Sequence, residues 1–170
     1  MSRQFVTEAV MVAIYGQLLA SPASIEYIVP YTTILELYEF QASSDPLMGN
    51  PADDQHVKTK INEMISYFEE PLNKKKIERA LLTPWAKSPS ILFGDQVSIA
   101  IINAVDTAQY GEYFDPIETE LILTSQRLSI PILTDQVELI ARIIESSAPV
   151  QVYDIDDFDF AMDEESLDQV

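Results

Sequence analysis

Tyr110–Asp135 reads YGEYFDPIETELILTSQRLSIPILTD, and the order of its residues decides the fold. Asp115 followed by Pro116 sets an N-cap ahead of a proline at the first helical position. Glu118, three residues beyond the cap, completes the signature of a capping box. Ile117, Leu121, Ile122 and Leu128 supply an apolar helix face. The apolar stretch Ile130–Thr134 then reads as a strand, Gln136–Ser146 as a helix and Val150–Tyr153 as a further strand. Alternation of this kind with short connections implies a parallel sheet with right-handed crossovers.

Working outward, Val97–Val105 (VSIAIINAV) is a nearly continuous β-branched run, the pattern of a strand buried on both faces. Tyr27–Val29 reads as a short strand closed by Pro30. Tyr31–Phe40 follows as a helix, with Ile34, Leu35 and Tyr38 on one face and Glu36 and Glu39 directed elsewhere. Thr7–Leu19 is apolar at nearly every position, which suits a buried helix ended by Ser21-Pro22. Asp53 or Asp54 can cap a helix reaching about Glu70, where Pro71 stops it, and Asn73 can cap another over Lys74–Leu82. Ser88–Gly94 is irregular or a short strand. The expectation is a single α/β domain over residues 1–160, three layers deep, with a central, mostly parallel sheet flanked by helices. Residues 161–170 are expected to be an acidic, mobile tail.

The chain has 170 residues, enough for one core, and 47% of them are hydrophobic. No apolar run reaches the ~18 residues that span a bilayer, so no membrane partner is expected. There are no cysteines, which excludes disulfides and thiolate metal sites and points to a cytoplasmic location. The formal net charge is −18, from 28 acids against 10 bases. Such a surface repels a polyanion, so nucleic acid is disfavoured as a partner. The one basic concentration, Lys74, Lys75, Lys76 and Arg79, is a weak nucleic-acid patch on this background, and such runs are more often a solvated face.

Asp115 opens a helix and Asp135 follows a strand. In an open α/β sheet ligands bind beyond the carboxyl ends of parallel strands, so two carboxylates delivered there suggest a divalent-metal site. Helix capping is the commoner role for each acid taken singly, and exposure is the commoner state for Glu36. His56 has no second His or Cys with which to build a zinc site. Trp85 reads as a core anchor, and the Tyr110–Phe114 aromatics either pack on the sheet edge or stand beside the acidic residues.

Two stretches carry a family resemblance. IVPYTTILELYE, a strand ending in proline before a glutamate-bearing helix, and FDPIETELILTSQRLSIPILTD together resemble the PIN domain. That resemblance implies metal-dependent hydrolysis of RNA, with Glu36, Asp115 and Asp135 holding Mg²⁺ or Mn²⁺ through oxygen ligands. The departure lies at FVTEAV, where Thr7 occupies the place of the aspartate that ends the first strand of PIN enzymes. Glu8 beside it, or Asp106 or Asp154 after later strands, would have to help. NKKKIERA and NAVDTAQYGEYFDPIETELI also resemble short bacterial proteins that carry the label ADP-heptose synthase. Four isolated glycines and one histidine supply neither an HxGH-like motif nor an anion hole for such an enzyme.

The missing aspartate and the net charge lead to one expectation: a PIN-like protein, non-catalytic or weakened, acting through a protein partner or as a homo-oligomer. The alternative is a divalent-metal-dependent ribonuclease with an altered acidic ligand set.

Overall fold

The chain's two longest strands form the middle of the sheet. In the computed structural model, which describes residues 3–105 and 112–168, β2 (Ile25–Pro30) and β4 (Val97–Ile102) pair in parallel from Ile25 opposite Val97 to Pro30 opposite Ile102. β1 (Arg3–Val6) lies parallel on the other side of β2, Phe5 opposite Tyr27. β5 (Ile132–Leu133) follows β1, and β6 (Val152–Tyr153) follows β5, both in parallel. β3 (Ile91–Leu92) closes the far edge antiparallel to β4. Among the described residues the order is β3-β4-β2-β1-β5-β6.

Alternation of side chains along the strands divides the interior into two layers. Phe5, Tyr27, Val29, Ile99 and Ile101 face the helices α1 (Ala9–Ile14), α2 (Tyr31–Ala42), α3 (Pro51–Phe68), α4 (Pro71–Ala80) and α7 (Ile155–Asp168). Val6, Ile28, Ala100, Ile102 and Ile132 face α5 (Pro116–Leu128) and α6 (Val137–Ser146). Helices therefore cover both faces, and the chain is a three-layer α/β fold. Residues 28 and 29 of β2, and 100 and 101 of β4, are buried on opposite sides, which is why those strands read as unbroken apolar runs.

The connections place a crevice at one end of the sheet. β1, β2 and β4 step one way across the sheet, with their linking helices on one face. From β4 the chain returns over the opposite face through α5 to β5, then through α6 to β6. Reversing direction and face together keeps every crossover of one hand. The reversal falls between β1 and β5, and the crevice beyond their carboxyl ends is the expected binding position of such sheets.

Several elements differ from the sequence expectation. The run Thr7–Leu19 is not one helix: β1 ends at Val6, α1 covers only Ala9–Ile14, and a 3₁₀ turn takes Gly16–Leu18. α3 starts at Pro51 with Asn50 as its cap, its side chain accepting from the Ala52 and Asp53 amides; Asp54 instead accepts from the amides of Leu47 and Met48. α4 starts at Pro71, and Asn73 donates to Tyr67 O instead of capping. The acidic C-terminal segment is helical to Asp168, with Phe158, Ala161 and Met162 buried against the sheet. Phe158 meets Phe5 edge-on at 5.5 Å between ring centroids, so apolar residues spaced three and four apart dock this helix.

Candidate functional site

Four carboxylates from four separate segments meet at the β1–β5 reversal. Glu8 stands in extended backbone just past β1, at the N-cap position of α1 but without a side-chain capping bond. Glu36 comes from α2, Asp115 from the start of α5, and Asp135 from the turn after β5. All four, with Glu118 and Gln136, line one cleft of about 300 Å³. Its other walls are apolar, formed by Val10, Met11 and Ile14 of α1, with Phe40, Leu47 and Ile117. No Lys, Arg or His is among these lining residues.

Local chemistry holds each group. Asp115 accepts from the Glu118 amide at 2.7 Å while the Glu118 carboxylate accepts from the Asp115 amide at 3.0 Å, the reciprocal capping box written in the sequence. Glu118 is buried and also takes two hydrogen bonds of 2.6 Å from the Arg142 guanidinium of α6. That pairing holds the Glu118 carboxyl below its usual range against the opposing effect of burial. Asp135 accepts from the Tyr15 hydroxyl at 2.7 Å. Burial and this carboxylate push the Tyr15 phenol up to about 12. Gln136 reaches Glu8 at 3.5 Å to either oxygen.

Among the described residues neither Glu8 nor Glu36 forms an ion pair. Burial, then Glu36, Asp115, Asp135 and Glu118 in turn, push the Glu8 carboxyl up to about 7. Burial, then Glu39, Asp115 and Glu120, push Glu36 up to about 7 as well. Glu120, buried on α5 beneath them, accepts from the Thr32 hydroxyl and is also raised, burial outweighing that bond. The cleft is thus an excess of negative charge partly withdrawn from water.

Thr7 lies between β1 and the cleft residue Glu8. It is fully buried, its amide donates to Ile28 O at 3.1 Å, and its hydroxyl donates to Leu133 O at 2.8 Å. The side chain therefore pins β1 to β5 and does not face the cleft, whereas Glu8, one residue on, does.

Of the acids singled out in the sequence, Glu36, Asp115, Asp135 and Glu8 are brought together. Asp154 is not: it forms a reciprocal cap with Asp157 at the start of α7, at 2.7 and 3.0 Å. Asp106 lies outside the described residues. The basic run lies on α4, where Lys76 donates to Ser90 O and Lys74 lines a groove with Glu69 and Glu78. Trp85 is half-buried under Arg127, whose guanidinium carbon sits 4.1 Å from the ring centroid. Tyr113 is exposed and Phe114 buried. Sequence reasoning missed the engagement of Glu118 with Arg142, because nothing in the spacing of residues on α5 and α6 announces it. It also missed Glu120 and Tyr15, which read as ordinary helix and helix-end residues.

Carboxylate oxygen suits a hard divalent cation. Among the described residues no group of three or more His, Asp or Glu side chains is placed to hold a metal ion. Asp115 and Glu118 spend oxygens on backbone amides and Arg142, and Asp135 spends one on Tyr15. Comparison of the chain with protein-family models, with curated proteins and with solved structures finds no match. No described helix is long and apolar enough to cross a membrane.

Proposed function

We propose that this chain is a PIN-like domain working in the cytosol through protein contacts, and that its acidic cleft receives a Lys or Arg side chain of a protein partner. The observation that carries the reading is the mixed wall: five carboxylates, of which only Glu118 is paired with an arginine, and no base among the lining residues, set among Val10, Met11, Ile14, Phe40, Leu47 and Ile117. A basic side chain matches both parts, its methylene stem against the apolar wall and its charged head among the carboxylates. Thr7 supports the loss of nuclease chemistry, since the position that a PIN enzyme gives to an aspartate is here a buried hydroxyl bonded to Leu133 O.

The test is a titration of labelled protein with the peptide Ac-Gly-Arg-Gly-NH₂, followed by amide chemical shifts. Saturable shifts at residues 8, 36 and 135, weakened by salt and by the Glu8→Gln, Glu36→Gln double substitution, are expected. Equal shifts with Ac-Gly-Gln-Gly-NH₂ would refute it.

A second reading keeps the nuclease. Glu8 favours it, because it faces the cleft one residue beyond Thr7 and its carboxyl feels Glu36, Asp115 and Asp135. It requires these side chains to leave their present partners and converge. Cleavage of single-stranded RNA with MnCl₂, lost in Asp135→Asn, would establish that reading over the first.

A further inference from the structure

Arg142 of α6 stands behind the cleft, outside its lining, and touches three points at the start of α5. It donates at 2.6 Å to each oxygen of Glu118 and at 3.3 Å to Tyr113 O. Its guanidinium carbon lies 5.8 Å from the centroid of the Phe114 ring. Glu118 Oε1 is shared, because it also accepts from the Asp115 amide at 3.0 Å. The backbone on both sides of Asp115 is therefore tied to one arginine, directly at Tyr113 and through Glu118 beyond.

The helix start does not need that arginine in order to close. Asp115 and Glu118 satisfy each other's amides reciprocally. What Arg142 adds is a link to another element. α5 carries Asp115, and α6 begins directly after Asp135 and Gln136, on the neighbouring wall of the same cleft. A two-bond planar pairing fixes direction as well as distance, so this link holds the two helix starts at one separation.

We infer that Arg142 is a positioning residue for the acidic cleft: acting through Glu118, it sets the spacing of Asp115 and Asp135 at which a partner's basic side chain is received. The inference rests on the reading of the cleft proposed above. Charge alone predicts the opposite sign. Arg142 is a cation bonded to a carboxylate of the cleft, so its loss leaves the site more negative and should tighten a basic ligand. Loss of spacing loosens it.

The experiment titrates wild type, Arg142→Met and the double variant Arg142→Met, Glu118→Gln with Ac-Gly-Arg-Gly-NH₂, read from the amide shifts of residues 8, 36 and 135. The double variant removes one charge of each sign, leaves no buried carboxylate without a cation, and keeps a side chain that can close the capping box. Binding about tenfold weaker than wild type is expected for both variants, at wild-type circular dichroism. Arg142→Met that binds as tightly as wild type, or more tightly, overturns the positioning role. Should Arg142→Met not fold, the double variant decides, and wild-type affinity there overturns the role equally. Wild type that gives no saturable shifts refutes the reading of the cleft itself, and the positioning role with it.

Discussion

Glu8 and Glu36 sit where like charges and burial act in the same direction, so each binds a proton more tightly in the folded chain than in the unfolded one. Their folded values of about 7 stand above the ordinary glutamate value of 4.5. The stability tied to them is therefore fully present below pH ~4.5 and is lost as pH rises through about 7. Thermal unfolding between pH 5 and 8 should show the loss, on the order of 2 kcal/mol for the coupled pair after allowance for screening. Glu8→Gln should raise the melting temperature at pH 8 and flatten that profile; an unchanged profile would count against the coupling. Thr7 makes the complementary point. Thr7→Asp would place a carboxylate where a hydroxyl bonds Leu133 O, and it should cost roughly 3 kcal/mol in urea unfolding. Both positions are legible only in part. The sequence marks Thr7 as the break from the PIN pattern, but which of residues 7 and 8 faces the cleft depends on where β1 stops and α1 starts. Four residues of strand and six of helix are too short for periodicity to locate that point.

At the scale of elements, α5 is the most legible, because its start is encoded locally. Asp115, Pro116 and Glu118 satisfy the orphan amides of the first turn among themselves. Asp115→Ala should therefore cost about 1 kcal/mol in unfolding free energy. Arg142→Ala should cost more, about 3 kcal/mol, since it leaves the buried Glu118 carboxylate with no cation. A loss for Arg142→Ala no greater than for Asp115→Ala would mean that Glu118 is solvated. The C-terminal end of α5 is not written in the sequence: Ser129 adopts φ 56°, the left-handed cap that glycine usually fills. Elements whose stability comes from distant partners are harder still to read. α7 is hidden by its acids, and its docking rests on Phe5 and Phe158, at opposite ends of the chain. α3 and α4 each start earlier than expected, since Pro51 and Pro71 act as first helical residues, while α3 ends before Pro71 as its sequence indicates.

At the scale of the whole molecule, the sheet order turns separate acids into one site. Helix–strand alternation in the second half discloses the parallel sheet, yet the reversal between β1 and β5 is a property of topology that no local stretch contains. That reversal brings Glu8 and Asp135 onto adjacent strand ends and lets α2 and α5 add Glu36 and Asp115 from opposite faces. The most direct test is a side-chain carbon NMR titration of the glutamate carboxyls. Glu8 and Glu36 should titrate near 7, and in Asp135→Asn the Glu8 midpoint should fall. Midpoints for both near 4.5, as for a glutamate in water, would mean that the carboxylates stand apart and that there is no cleft to fill.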